Sequence, residues 1–344
     1  MTLDNELIKK IKIKPILDSL KLEDISDSEY FSEKYSSYIS NSRLNKLKTD
    51  GAEAFFAGLK SEYSTSFETG SLIHTMVLQS EDYEVIEGVY KPTAKAGLVA
   101  EALYNGGKIP TDKEIRAKSD EIGYYKGKLT DNRLREFKTK AEPYWRDRFI
   151  YEQKHPFKSG DKERIYTDIK NYELLNNCLN TLNKDINIQK LLHPEGLVDT
   201  PIIGNEKTIL MDIIMEVPGF DEKTYKLKAK LDNFSINKEE NVITVNDLKT
   251  TSRPVAIFDP TYYSYQREIA FYSWLLKLAA KKFYNVENAV TKGNFLVVST
   301  IPEYETCVYP MTSKLFLSGW KEALYLLKVV AYLNIVKGYT FNEV

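Results

Sequence analysis

A run of β-branched residues, Val242-Ile243-Thr244-Val245, leads straight into Asn246-Asp247-Leu248-Lys249-Thr250-Thr251, and no other stretch constrains this chain as tightly. β-Branched side chains pack well on a pleated surface, so the run predicts a buried strand. Upstream, Lys228-Ala229-Lys230-Leu231-Asp232 sits in a second strand-like segment, and Asn237-Lys238-Glu239-Glu240-Asn241 between the two is polar turn material. Together they predict a hairpin whose far ends place Asp232 beside Asp247. Side chains alternate along a strand, so Asp247 and Lys249 share one face while Leu248 points into the core. Two carboxylates and a lysine so placed can bind a divalent cation through hard oxygens and hold a water beside it. An Asp-x-Lys pair alone is more often a weak surface ion pair. Its company has to decide.

Composition narrows the classes. With 42% hydrophobic and 28% charged residues, the 344-residue chain reads as an ordinary globular protein. No apolar run reaches bilayer length and the first residues form no signal peptide, so no membrane partner is expected. Cys178 and Cys307 are too far apart for a metal-binding spacing, and a reduced, cytoplasmic setting is the default. The formal net charge of −1 argues against a broadly basic nucleic-acid surface. A local groove stays open, because Lys223, Lys226, Lys228, Lys230 and Lys238 surround the hairpin; the other reading of them is a solvated strand face. Most of the 24 tyrosines should be packing residues, though tyrosines also stack on bases. There is no Gly-x-Ser-x-Gly elbow, P-loop or dinucleotide fingerprint.

The N-terminal third reads as helical: an amphipathic helix over 6–20 with Pro15 as a break or start, a capped helix from Asn41 through Lys48, and a short apolar helix carrying His74. From Lys91 to about Leu197 the pattern is polar and mostly helical, with candidates at 94–103, 111–119, 133–151, 168–182 and 186–192. Strand signals begin at Thr200, with strands at 208–215, 224–234 and 242–250 forming an antiparallel unit. A helix over 262–284, strands at 295–300 and 305–309, and a closing helix over 315–336 complete an α/β core with a mixed sheet.

His74 lies four residues after Gly70 on an otherwise apolar segment, where a packed core histidine is the commoner outcome. Glu206 opens the first strand, and singly it is one charged residue at a strand end. The order Gly70-x-x-x-His74, a strand-opening acid, Lys230-Leu231-Asp232, Asp247-Leu248-Lys249-Thr250 and a downstream helix bearing Gln and Tyr resembles the PD-(D/E)XK nuclease superfamily. Within it, the chain looks like the RecE- and RecB-type exonucleases often carried by phages. The resemblance covers roughly 40–90 and 200–335; the segments Ile39-Ser40-Asn41-Ser42-Arg43-Leu44 and Leu78-Gln79-Ser80-Glu81-Asp82-Tyr83 also carry it.

The resemblance implies a restriction-endonuclease-like α/β core, a central mixed β-sheet flanked by helices. It implies one nuclease domain over 1–344: an N-terminal helical segment (1–90) carrying His74, a helical insertion (91–197), and the core sheet with its helices (198–344). His74, Asp232 and Asp247 would ligate Mg²⁺ or Mn²⁺, with the Leu248 backbone carbonyl as a further ligand. Glu206 would be the additional acidic ligand, with Glu216 as a weaker rival. Lys249 would position the attacking water and stabilise charge on the scissile phosphate. Gln266 and Tyr272 would approach that phosphate from the next helix, although Glu268 stands where the family's Gln is expected.

The implied activity is a metal-dependent DNA exonuclease acting on linear duplex ends in phage-type recombination, in the cytoplasm of the host cell if phage-encoded. A single-strand annealing protein and a homo-oligomeric state are partners it leaves open. The alternative is a catalytically inactive protein of the same fold that binds nucleic acid or serves in assembly. The chemistry has its own rationale: phosphodiester hydrolysis needs a nucleophile at neutral pH and relief of the charge that builds on the phosphoryl oxygens, and a carboxylate-held cation serves both. A histidine ligand suits Mn²⁺ better than Mg²⁺. Lys249 beside carboxylates should stay charged, which favours electrostatic work over proton abstraction.

Overall fold

The computed structural model describes residues 3–57, 65–125, 127–195 and 201–341, the side chains of 65–67 excepted. The expected end of the helical stretch at Leu197 and the expected onset of strands at Thr200 lie outside those residues. In chain order, α1 is Asn5–Lys10, β1 Lys12–Glu23, α2 Asp27–Tyr30, α3 Asn41–Ala57 and α4 Thr65–Leu78. Next come β2 Tyr83–Val85, α5 Ala94–Leu103, α6 Asp112–Ile122, α7 Asp131–Lys154, β3 Glu163–Ile165, α8 Ile169–Lys184 and α9 Ile186–Leu192. The last part holds β4 Ile202–Glu216, β5 Lys223–Asn237, β6 Val242–Thr251, α10 Tyr265–Tyr284, β7 Val290–Ser299, β8 Thr306–Pro310 and α11 Ser313–Ala331. Two compact units result, Met1–Glu62 with Thr181–Val344, and Tyr63–Asn180.

The first unit is built on a six-stranded mixed sheet in the order β1-β4-β5-β6-β7-β8. Only β6 and β7 run parallel, with α10 as their crossover; the other neighbours are antiparallel. The expected central mixed sheet flanked by helices is therefore present. Its core joins Phe234, Ile236, Ile243, Val245, Phe295 and Val297 from the strands with Ile269, Phe271, Leu275, Leu276 and Ala279 from α10. α11 closes against α10, and Gly319 makes this possible: a Cβ there would lie 2.1 Å from the Gln266 carbonyl oxygen.

Two expectations need correction. The helix over 6–20 stops at Lys10, and the chain continues as β1, the edge strand paired with β4. Pro15 has no N–H for a helix interior, but an edge strand tolerates it. Of the hairpin lysines, Lys223, Lys226 and Lys238 are exposed, as a solvated face would have them, but Lys228 and Lys230 are covered. Lys228 is 4% exposed, with Nζ donating to the Tyr30 carbonyl at 2.6 Å and lying 4.2 Å from the Tyr30 ring centroid. Lys230 is paired with Asp27 and Glu206.

Burial, helped by the nearby Arg43 charge, pushes the Lys228 pKa down to about 8. A lysine whose folded pKa lies below its unfolded value binds fewer protons folded than unfolded, so its burial costs less as pH rises through that window. The stability of the wild type relative to Lys228→Met should rise by about 2 kcal/mol between pH 8 and pH 10. Urea titrations across that range read it; a flat difference would mean that Lys228 stays protonated throughout.

The second unit packs α5, α6 and α7 around Val99, Phe137, Tyr144 and Trp145, with β2 and β3 as a short parallel pair. Arg148 stacks between the Tyr104 and Tyr166 rings, 4.0 and 4.3 Å from their centroids, and pairs with Glu101 and Glu152. Its Nε donates to Glu152 and its Nη1 to Glu101 and the Tyr144 hydroxyl, and rings flank the guanidinium, which is how a charge this far from water is tolerated. His74 lies half-buried on α4 in this unit.

Candidate active site

The ladder between β5 and β6 runs from Asn237↔Val242 to Asn233↔Asn246 and ends there, while β6 stays beside β7 as far as Thr251. Asp232 and Asp247 are the next residues on each side, so the two acids stand where the strands part. Asp232 accepts the Leu248 backbone N–H at 2.8 Å across that gap. On the other side of β5, Glu206 faces Asp232 between the pairs Asn205↔Asn233 and Lys207↔Leu231. Its φ of +52° takes it out of the strand conformation, an uncommon state for a residue with a Cβ. Carboxylate oxygens of Glu206 and Asp232 lie within 4.8 Å of each other, and Lys230 Nζ is 3.2 Å from Glu206. Glu216 sits at the far end of β4 and pairs with Lys14.

Asp247 is 2% exposed. Its Oδ2 lies 2.8 Å from Lys249 Nζ, which also reaches Glu268 Oε2 at 3.2 Å. Tyr272 donates its hydroxyl to Glu268 Oε1 at 3.1 Å, and the Tyr265 ring lies 4.8 Å beneath the ammonium. Asp247, Lys249, Glu268 and Tyr272 therefore form one connected group. Gln266 turns elsewhere: its amide nitrogen donates to Glu322 of α11 at 3.4 Å, beside the buried Arg267, which bonds Asn41, Asn45 and Glu322. From α10, Glu268 rather than Gln266 stands with Lys249.

Electrostatics fix the protonation states. Burial raises the Asp232 pKa to about 6 against the lowering pull of Lys249. It holds Asp247 well above the ordinary carboxylate range, with the charges of Glu268 and Asp232 adding to the shift. Burial works to lower the Lys249 pKa, but Asp247, Glu268 and Asp232 outweigh it and hold the group well above its usual value. Lys249 is thus a fixed ammonium, unable to accept a proton. Burial and the Glu268 charge keep the Tyr272 phenol protonated.

Four carboxyl groups (Glu206, Asp232, Asp247, Glu268) crowd around two ammonium groups (Lys230, Lys249). Burial resists ionising all four acids, a cation among them would favour it, and the donors are the hard oxygens that Mg²⁺ or Mn²⁺ prefers. The residues present fit such an ion.

Sequence reasoning missed how the strands are held in register. Asn205, Asn233, Asn246 and Asn294 align across β4, β5, β6 and β7, and the amide nitrogens of Asn233, Asn246 and Asn294 donate to Asn205, Asn233 and Asn246 in turn at 2.7–2.9 Å. Asn246 and Asn233 also donate to the Leu191 and Leu192 carbonyls at the C-terminal end of α9, at 3.0 and 3.5 Å. Three of these asparagines adjoin Glu206, Asp232 and Asp247. A slip of one residue would turn every acid to the opposite face, and the amide row resists it. Only the pairing register reveals that the four align.

No family model matches the chain, and no curated protein does either. Among solved structures it is similar to a protein from Eubacterium rectale provisionally named an exonuclease, across 92% of this chain and 88% of that one, at 13% identity and a TM-score of 0.42. It is also similar to the protein SSO0001 across 46% of this chain and 63% of that one, at 17% identity and a TM-score of 0.26. Among the described residues no helix is long and apolar enough to cross a membrane.

Proposed function

We propose that this chain is a divalent-metal-dependent nuclease of the PD-(D/E)XK type, acting as an exonuclease on linear duplex DNA. One observation carries the reading: where the β5–β6 ladder ends, the buried Asp247 and the half-buried Asp232 stand beside a lysine held between Asp247 and Glu268. Asp232, Asp247 and Glu206 would hold Mg²⁺ or Mn²⁺, with the Leu248 carbonyl as a further donor. The ion would act as Lewis acid toward the phosphate and make a water nucleophilic at neutral pH.

The chain's own groups have distinct tasks. Lys249, fixed as a cation, stabilises the negative charge that grows on the phosphoryl oxygens and orients the nucleophile. Glu268 and Tyr272 fix the lysine's rotamer, because Tyr272 donates to one Glu268 oxygen while the ammonium meets the other. Gln266, through Glu322 and its place beside Arg267, would hold α10 in position rather than touch substrate.

Purified protein on end-labelled linear and on closed circular duplex, with Mg²⁺, Mn²⁺ or EDTA, tests the proposal. Loss of linear DNA only, blocked by EDTA, is the expected result. Nicked circles would replace the exonuclease with an endonuclease, and intact DNA under every condition would overturn the nuclease reading.

His74 joins the ligand set on the sequence resemblance. Its replacement by alanine should raise the Mn²⁺ concentration for half-maximal cleavage on the order of tenfold, leaving the rate at saturating metal nearer to wild type. An unchanged metal titration would remove His74 from the set.

A further inference from the structure

A line of aromatic rings runs from solvent to Lys249. Tyr262 and Tyr263, in the turn before α10, are 68% and 59% exposed, with centroids 4.6 Å apart. Tyr263 lies 5.4 Å from the half-buried Tyr265, the ring beneath the Lys249 ammonium. Phe258 stacks on Tyr265 at 6.0 Å with only 10° between the planes, and the partly exposed Tyr309 stands 5.9 Å from Phe258. The turn is braced: Asp259 accepts from the Thr261 N–H and hydroxyl, the Tyr265 N–H reaches the Pro260 carbonyl at 2.8 Å, and Lys48 holds the Ser264 hydroxyl at 2.8 Å. Large rings held this firmly in water leave apolar faces uncovered, a state that marks interaction sites.

What covers them follows from what they adjoin. The line ends at the group assigned to the scissile phosphate, so its occupant is continuous with the substrate. Beyond Arg253, exposed at the end of β6, the net charge of −1 gives little help in gathering phosphates. Stacking on a base needs no charge, and every base has a π face to offer. Bases inside a duplex are already stacked on each other, so only unpaired ones can use the rings.

We propose that Tyr262 and Tyr263, linked through Tyr265 to Lys249, form a stacking platform for the unpaired bases of the strand that enters the Lys249 site. The platform rests on the nuclease reading and adds a substrate preference to it: frayed or single-stranded ends engage before fully paired ones.

Full-length protein in EDTA, where no turnover occurs, is titrated into a fluorescein-labelled oligothymidylate and into an abasic strand of equal length, followed by anisotropy. Wild type should bind the thymidylate at least about tenfold more tightly. Tyr262→Ala/Tyr263→Ala should lose that preference, and Tyr262→Phe/Tyr263→Phe should keep it, because the ring and not the hydroxyl is used. Equal affinity of wild type for both strands, or a preference that survives in the double alanine variant, overturns the platform. Adding Mg²⁺ to the same samples reads the nuclease separately. Cleavage without base preference sinks the platform alone, and base preference without cleavage sinks the nuclease alone.

Discussion

Asp247→Asn should lower Mg²⁺-dependent DNA hydrolysis on the order of a hundred- to a thousandfold while leaving the melting temperature at or above that of the wild type. The two readouts move apart because the same carboxylate does useful and costly things. As an ion it serves the metal and holds Lys249, but burial and the charges of Asp232 and Glu268 oppose its ionisation. An amide of the same shape ends the repulsion and the chemistry together. Lys249→Ala should lose activity on a similar scale through the opposite change, because removing the ammonium leaves Asp247 and Glu268 uncompensated and lowers stability. Initial rates on end-labelled linear duplex, paired with thermal melts, separate the cases. An Asp247→Asn protein that melts well below wild type yet digests DNA normally would make the aspartate a structural ion-pair partner and nothing more.

Gly319→Ala should destabilise the protein by about 2 kcal/mol, against the direction helix propensity predicts. In an open helix the change would gain about 1 kcal/mol. Here the added carbon would meet the Gln266 carbonyl oxygen at 2.1 Å, the Gln266 carbonyl carbon at 2.5 Å and the Arg267 nitrogen at 2.9 Å, all of them backbone atoms of α10. Backbone cannot swing aside as a side-chain tip can, so α11 has to back away from α10. Glu268 is the next residue along α10, and Lys249 depends on its position. A fall in cleavage rate should accompany the fall in stability. Urea denaturation reads the first; a Gly319→Ala protein as stable as wild type would show that the two helices have room to spare.

Legibility from sequence varied with how local the cause was. The hairpin was readable because its β-branched strand, polar turn and paired acids lie in one stretch, and β5 and β6 run where expected. Helices α5 and α9 run where expected, since helix-forming patterns are local, and Asp185 caps α9. β1 was not, because a strand with lysines and a proline has little signal until β4 supplies a partner. The β2–β3 pair is too short to carry a pattern. Lys228 and Lys230 invited a surface reading, since nothing nearby in sequence announces that Tyr30 and Asp27 will cover them. At the site, Asp232, Asp247 and Lys249 followed from strand alternation. Choosing between Gln266 and Glu268 required the rotation of α10 about its axis, which tertiary packing sets.

The central claim is spatial: the acids at the parting of β5 and β6 hold a divalent ion. Crystals soaked in MnCl₂, with data collected at the manganese absorption edge, test it most directly. An anomalous peak among the carboxylates of Glu206, Asp232 and Asp247, absent from crystals of Asp232→Asn, is the predicted result. No peak there at millimolar Mn²⁺, or one that persists undiminished in the variant, would contradict the account.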